Sequence, residues 1–156
     1  MNFLIKLKKE GKLELVEPSE EIKGSYIRKS ESSLASAKIL FDNEKLEESI
    51  ALSYYSMYNM LTALLFKAGI KCENHSGTII LMKEVFNLNN SDISTAKSER
   101  VDKQYYTDFH ITKEEVKDAI KNAENFNSEL LDFISKVNNK DIANYRKIFK
   151  ELIYLT

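Results

Sequence analysis

The sequence predicts an all-α fold: an up-down helical bundle of four to five main helices with a short N-terminal arm. Three observations carry that expectation. One proline and four glycines in 156 residues leave long stretches free of helix breakers. Apolar residues recur three and four apart through the middle and the C-terminal third of the chain, which is the period of a helix face. No segment alternates apolar with polar residues for long enough to require a sheet. The expected organisation is an arm over residues 1–18 and a bundle over residues 19–156.

In the arm, Gly11 reads as a turn between Phe3–Lys9 and Lys12–Val16, which suits either a small hairpin or an extended strap. Past Pro18, Ser19 suits a helix N-cap, with Glu20 and Glu21 placed in the first turn against the helix dipole. The first long helix runs to Phe41, carrying Ile27, Leu34, Ala37 and Phe41. After Asp42–Glu44, a second long helix over Lys45–Ala68 places Ile50, Tyr54, Met57, Leu61, Leu64 and Ala68 on one stripe. Gly69 is its expected C′ residue, because a left-handed residue ends a helix cheaply only without a Cβ.

Asn74 caps the next helix, with Ile79, Ile80, Met82 and Phe86 on it. A markedly polar helix follows from Ser91 to about Tyr106. Thr112 and Glu115 form a Thr-x-x-Glu capping box that opens a long helix with Val116, Ile120, Ala123, Leu130 and Ile134. Asn138–Lys140 interrupts, and Ile142, Tyr145, Phe149, Leu152 and Ile153 form a last amphipathic helix.

Composition excludes several classes. Lys and Arg total 23 against 24 Asp and Glu, a formal charge of −1, so contact with nucleic acid requires a local patch rather than a global field. The single cysteine, Cys72, has no internal disulfide partner and points to a reducing compartment. No window approaches the ~18 apolar residues of a membrane span. Met1–Val16 alternates apolar residues with lysine and lacks the pattern of a signal peptide. A cytoplasmic location without membrane contact is the expectation, by elimination. With only His75 and His110 there is no His-Glu-x-x-His site, and the glycines are too dispersed for a phosphate loop. No cofactor or metal is expected.

Three clusters could carry chemistry. Ser53–Met60 holds Tyr54, Tyr55 and Tyr58, read either as core rings whose hydroxyls reach polar partners or as a platform for stacking on a base. Asn74-His75-Ser76-Gly77 either caps a helix or offers its backbone N–H groups to an anion. Glu99–Tyr106, with Lys97 one turn before Arg100, is either a solvated charged face or a phosphate-binding patch built on the fork of Arg100 and the ring of Tyr105.

Taken together, these residues resemble the HEPN-domain family. Ala51–Leu65 is similar to its Tyr-Tyr-Ala-Met-Phe-x-Ala-x-x-Ala-Leu-Leu helix. Val16-Glu17-Pro18-Ser19 and Ala35-Ser36-Ala37-Lys38 look like its entry segment, and Gly69-Ile70-Lys71 with His75-Ser76-Gly77 looks like its turn. Arg100–Tyr106, Asp108-Phe109 and the Thr112 helix look like its polar helix and last long helix. The resemblance runs from Val16 to about Leu131.

The resemblance implies a helical bundle that homodimerises. It also implies a metal-independent ribonuclease in many members, often a toxin paired with a minimal nucleotidyltransferase antitoxin. In the family, activity rests on an Arg followed after four to six residues by a His. Arg100 takes the first place here, but Tyr105 and Tyr106 stand where the histidine belongs. An unperturbed tyrosine, with a pKa of ~10, is a poor base at neutral pH. The expected function is therefore a homodimer that binds RNA, a nucleotide or a nucleotidyltransferase partner, as half of a toxin–antitoxin pair. Arg100 contacts phosphate, and Asp102, Tyr105, Tyr106, Tyr54 and Tyr58 shape the cleft. One alternative is a metal-independent endoribonuclease using Arg100 with His75 or His110. The other is a non-catalytic helical adaptor that dimerises through the stripes of its second and fifth helices.

Overall fold

The computed structural model describes residues 2–105 and 110–154. Among them the chain forms seven helices and two three-residue strands: α1 (Asn2–Lys9), β1 (Leu13–Leu15), α2 (Glu20–Asp42), α3 (Leu46–Ala68), β2 (Ile70–Cys72), α4 (His75–Glu84), α5 (Ser91–Tyr105), α6 (Lys113–Lys136) and α7 (Asn139–Tyr154). The architecture is a helical bundle, as the apolar periods require.

Local signals place the helix ends. Ser19 Oγ accepts from Ile22 N at 3.0 Å, Asn74 Oδ1 from Gly77 N at 2.8 Å, and Thr112 Oγ1 from Glu115 N at 3.1 Å. Each satisfies an amide that has no partner within its helix. Gly69 ends α3 at φ 73°, and its N–H returns to Leu65 O and Phe66 O. A Cβ there would also lie 2.2 Å from Arg146 Nη1 and 2.4 Å from Val16 O, so the position needs glycine for conformation and for space.

α3 is the central element. Its predicted stripe of Ile50, Tyr54, Met57, Leu61, Leu64 and Ala68 is fully buried, as is Val116, Ile120, Ala123, Leu130 and Ile134 on α6. Fully burying such side chains contributes roughly 1.5–3 kcal/mol each before entropy is subtracted. Both stripes are consumed inside one chain. That corrects the expectation of an adaptor dimerising through them, since a surface already packed within the fold has nothing left to offer a second copy. α2 packs along α3 over a seam of small residues, where Ser30 meets Ser56 and Ser49 meets Ala37, an antiparallel register. Asn127 of α6 donates to Ser56 Oγ at 2.6 Å, tying the third long helix to the same seam.

The arm differs from both alternatives read from the sequence. Its first half is helical, and β1 pairs antiparallel with β2, Leu13 opposite Cys72 and Leu15 opposite Ile70. Leu4, Leu7 and Leu13 sit in the main core with Tyr54 and Leu61. The reason is spacing: Leu4 and Leu7 fall three apart, so a helix puts both on the core face, while a hairpin would split them. The strand partner, far along the chain, is beyond any local signal. Arg146 of α7 fastens the junction, its Nη1 shared among Val16 O at 2.8 Å, Ala68 O at 3.0 Å and Gly69 O at 3.0 Å. A cation there also meets the negative end of the α3 dipole.

Candidate functional site

Tyr54, Tyr55 and Tyr58 lie within a turn and a half of α3, so their rings fan over one side of the helix and the next. Two other helices meet them there. β2 delivers the chain to Asn74, whose cap starts α4 with His75 as its first residue. α5 brings Lys97 and Arg100, three apart and therefore on neighbouring positions of one face.

The contacts are specific. Tyr54 hydroxyl and His75 Nδ1 are 2.6 Å apart. The imidazole stacks on Tyr58 with ring centroids 3.9 Å apart and planes 8° apart, and stands edge-on to Tyr55. The Arg100 guanidinium carbon lies 5.3 Å from the centroids of both Tyr54 and Tyr55, within cation–π range, and its Nη1 donates to Tyr55 hydroxyl at 3.3 Å. Lys97 Nζ donates to Ser76 Oγ at 3.0 Å, and Tyr58 hydroxyl lies 3.3 Å from Thr78 Oγ1. His75, Lys97 and Arg100 are each half-buried against aromatic and hydroxyl groups.

Electrostatics fix the protonation states. Burial chiefly, then Tyr58, pushes the Tyr54 phenol well above its ordinary value, so it is a hydrogen-bond donor at neutral pH. Among the described residues His75 Nδ1 is the one partner of that hydroxyl, which assigns Nδ1 as acceptor and the imidazole proton to Nε2. Burial first, then Arg100 and Lys97, holds His75 below the ordinary histidine range, so the ring is neutral. The site therefore presents a neutral Nε2–H donor beside two fixed cations. Such a set can bind an anion through directed donors with no metal; among the described residues no group of three His, Cys, Asp or Glu could hold a metal ion.

Of the site residues predicted from sequence, the fold brings together Arg100, His75, Tyr54 and Tyr58. Asp102 and Tyr105 lie in the last turn of α5, where only the backbone is described, and Tyr106 lies outside the described residues. His110 is exposed. Tyr55 was read within the tyrosine cluster and Lys97 beside the polar patch, but the bonds of Tyr55 to Arg100 and of Lys97 to Ser76 were not foreseen. The signal for both was present: Lys97 stands one turn before Arg100, and Tyr55 is three residues from Tyr58.

A helical bundle gathering Arg, His and Tyr where three helices converge defines a class of polar-site α-proteins, and sequence comparison narrows it. The chain belongs to the HEPN-domain family, whose model matches residues 24–133. It is 31% identical over 114 residues, 69% of this chain and 84% of the relative, to a protein of Methanocaldococcus jannaschii named as a candidate toxin. It is 29% identical over 131 residues, 76% of this chain and 92% of the relative, to a UPF0332 protein of Thermotoga maritima. A UPF0332 protein of Pyrococcus horikoshii matches at 43% identity over 60 residues, 38% of this chain and 42% of that relative's length.

Proposed function

We propose that this HEPN-domain chain is an RNA-binding protein whose ligand phosphate sits at Arg100, Lys97 and the Nε2–H of His75, with the tyrosines as a stacking surface. The observation that carries this reading is the pairing of Arg100 and His75 across Tyr54 and Tyr55, which sets two donors of different kinds on one half-buried face. Arginine supplies a planar fork suited to phosphate, and aromatic faces accept any base. In keeping with its family and with the candidate-toxin relative, the protein would act as a homodimer and as one half of a toxin–antitoxin pair, with a minimal nucleotidyltransferase as partner.

Fluorescence anisotropy of a labelled single-stranded RNA, in chelator, tests the site. Arg100→Ala is expected to weaken binding about ten-fold, the size of one lost charge-assisted hydrogen bond. It should also lower the slope of log affinity against log salt by about 0.7, the share of one phosphate contact. Equal affinity and equal slope for both proteins would remove Arg100 from the site.

A second reading, metal-independent cleavage of RNA, is favoured by one observation: His75, rather than a residue of α5, stands beside Arg100 as a neutral imidazole. Acting as base toward a ribose 2′-hydroxyl, it would need its proton on Nδ1, donated to the Tyr54 oxygen, leaving Nε2 free to accept. Because the Tyr54 phenol is itself a donor, the binding reading ranks first. Cleavage in chelator that disappears in His75→Gln would reverse that order.

A further inference from the structure

The family match begins at residue 24, yet the helix that presents His75 is seated by residues that precede it. α4 has three supports. From α3 come the Tyr54 hydroxyl and the Tyr58 ring, and from α5 comes Lys97 on Ser76. The third is the N-terminal arm. β1 holds β2 in register up to Cys72, and Glu73 N donates to Lys12 O at 2.8 Å, one residue before the Asn74 cap. Leu7 of α1 then presses on the first turn of α4: a Cβ built on Gly77 would lie 2.6 Å from Leu7 Cδ1 and 3.0 Å from Cys72 Sγ.

Gly77 is helical, with no positive φ to explain it, so its lack of a side chain serves close approach. Leu7 is 2% exposed and has little room to retreat. Its side chain and the α4 backbone are thus in direct contact two residues from His75. The first turn of α4 is tied to Asn74, whose side chain accepts from Gly77 N at 2.8 Å and whose carbonyl accepts from Thr78 Oγ1 at 3.0 Å.

We propose that the N-terminal arm is a positioning element for the candidate RNA site: Leu7 against Gly77, together with the β1–β2 pairing, sets where His75 stands against Tyr54 and Arg100. The inference rests on the RNA-binding reading for its functional meaning, but the positioning itself can be read without RNA. Leu7 and Gly77 are positioning residues, because neither belongs to the group of side chains that would meet a ligand.

The test is a size exchange in the full chain, read by NMR titration of the His75 imidazole in the free protein and by anisotropy with labelled single-stranded RNA. Gly77→Ala drives the arm and α4 apart. His75 then loses burial and proximity to Arg100, its pKa rises toward the ordinary histidine value, and RNA affinity falls about ten-fold, the equivalent of one directed contact. Adding Leu7→Ala makes room for the new methyl and returns both readouts toward wild type, although thermal stability falls further. That opposition between stability and site geometry is something a merely structural contact does not produce. Should Gly77→Ala fail to fold, Leu7→Val, which shortens the contact by one methylene, is expected to move the His75 titration upward by a smaller amount. A His75 titration unchanged in Gly77→Ala, or in Leu7→Val where that is the variant available, overturns the proposal. An upward shift in His75 without RNA binding by any variant, wild type included, upholds the positioning and removes the RNA reading.

Discussion

One helix, α3, supplies two very different polar surfaces. Toward α2 it presents Ser49 and Ser56, with Ser53 one turn on from Ser49, and toward α4 and α5 it presents Tyr54, Tyr55 and Tyr58. The serine hydroxyls of this seam are all paired. Ser30 and Ser56 each donate to the other's backbone carbonyl, at 2.7 and 3.0 Å, Ser49 Oγ donates to Ala37 O at 2.7 Å, and Ser53 Oγ to Ser49 O at 3.0 Å. Ser30, Ser49 and Ser56 are wholly buried. These hydroxyls end on backbone, so they fix helix spacing and leave no donor for a ligand. The tyrosine side ends instead on side-chain groups, the His75 imidazole with its single Nε2–H and the planar guanidinium of Arg100. A network closed on backbone specifies structure, and one open to side-chain donors is where a ligand can enter.

The largest expected effect lies on the closed side. Ser56→Leu forces bulk into a filled seam and leaves the Asn127 amide without its acceptor, at a cost of roughly 2–5 kcal/mol. A clear fall in the calorimetric midpoint with little RNA effect beyond unfolding is the expected pattern; a neutral outcome would mean the seam is loosely packed. Tyr54→Phe comes next, at about 1 kcal/mol for one lost buried hydrogen bond. It also frees His75 Nδ1, so the nitrogen-15 shifts of the imidazole should move away from a single Nε2–H tautomer. Shifts already averaged between tautomers in the wild type would contradict the assignment.

The pH dependence follows from His75. Its folded value is depressed, so as pH falls the unfolded chain takes up the proton first. Stability tied to the neutral ring is complete above the ordinary histidine value of about 6.5 and is lost as pH drops below it toward the folded value. Comparing chemical-denaturation stability of wild type and His75→Gln across this window isolates the slope, which should be steeper in the wild type. Equal slopes would place His75 in water. The smallest effect belongs to an exposed i,i+4 pair on α6, Lys136 with Asp132 at 2.9 Å. Lys136→Ala should change stability by no more than about 0.5 kcal/mol.

The closed parts of the fold were legible because they follow local rules. Gly69, Asn74 and Thr112 announce helix ends by residue type, and the α3 and α6 stripes announce burial by period. The open part was legible only in its members. Arg100, His75, Tyr54 and Tyr58 stood out as residue types, but their meeting depends on β2 and α4 folding back over α3, a long-range event with no local signature. The arm was hardest. Two three-residue strands so far apart in sequence pair through backbone bonds that any residue can make, and Leu7 facing Gly77 is a contact between elements, not a pattern within one.

The most direct test of the open site is a titration of short single-stranded RNA into isotope-labelled protein, followed at every resonance. Shifts concentrated at His75, Ser76, Lys97 and the Arg100 side chain, with Ser30, Ser49 and Ser56 unmoved, are the predicted result. Shifts confined to other surfaces, or none at saturating RNA, would contradict the assignment of this cluster as the ligand site.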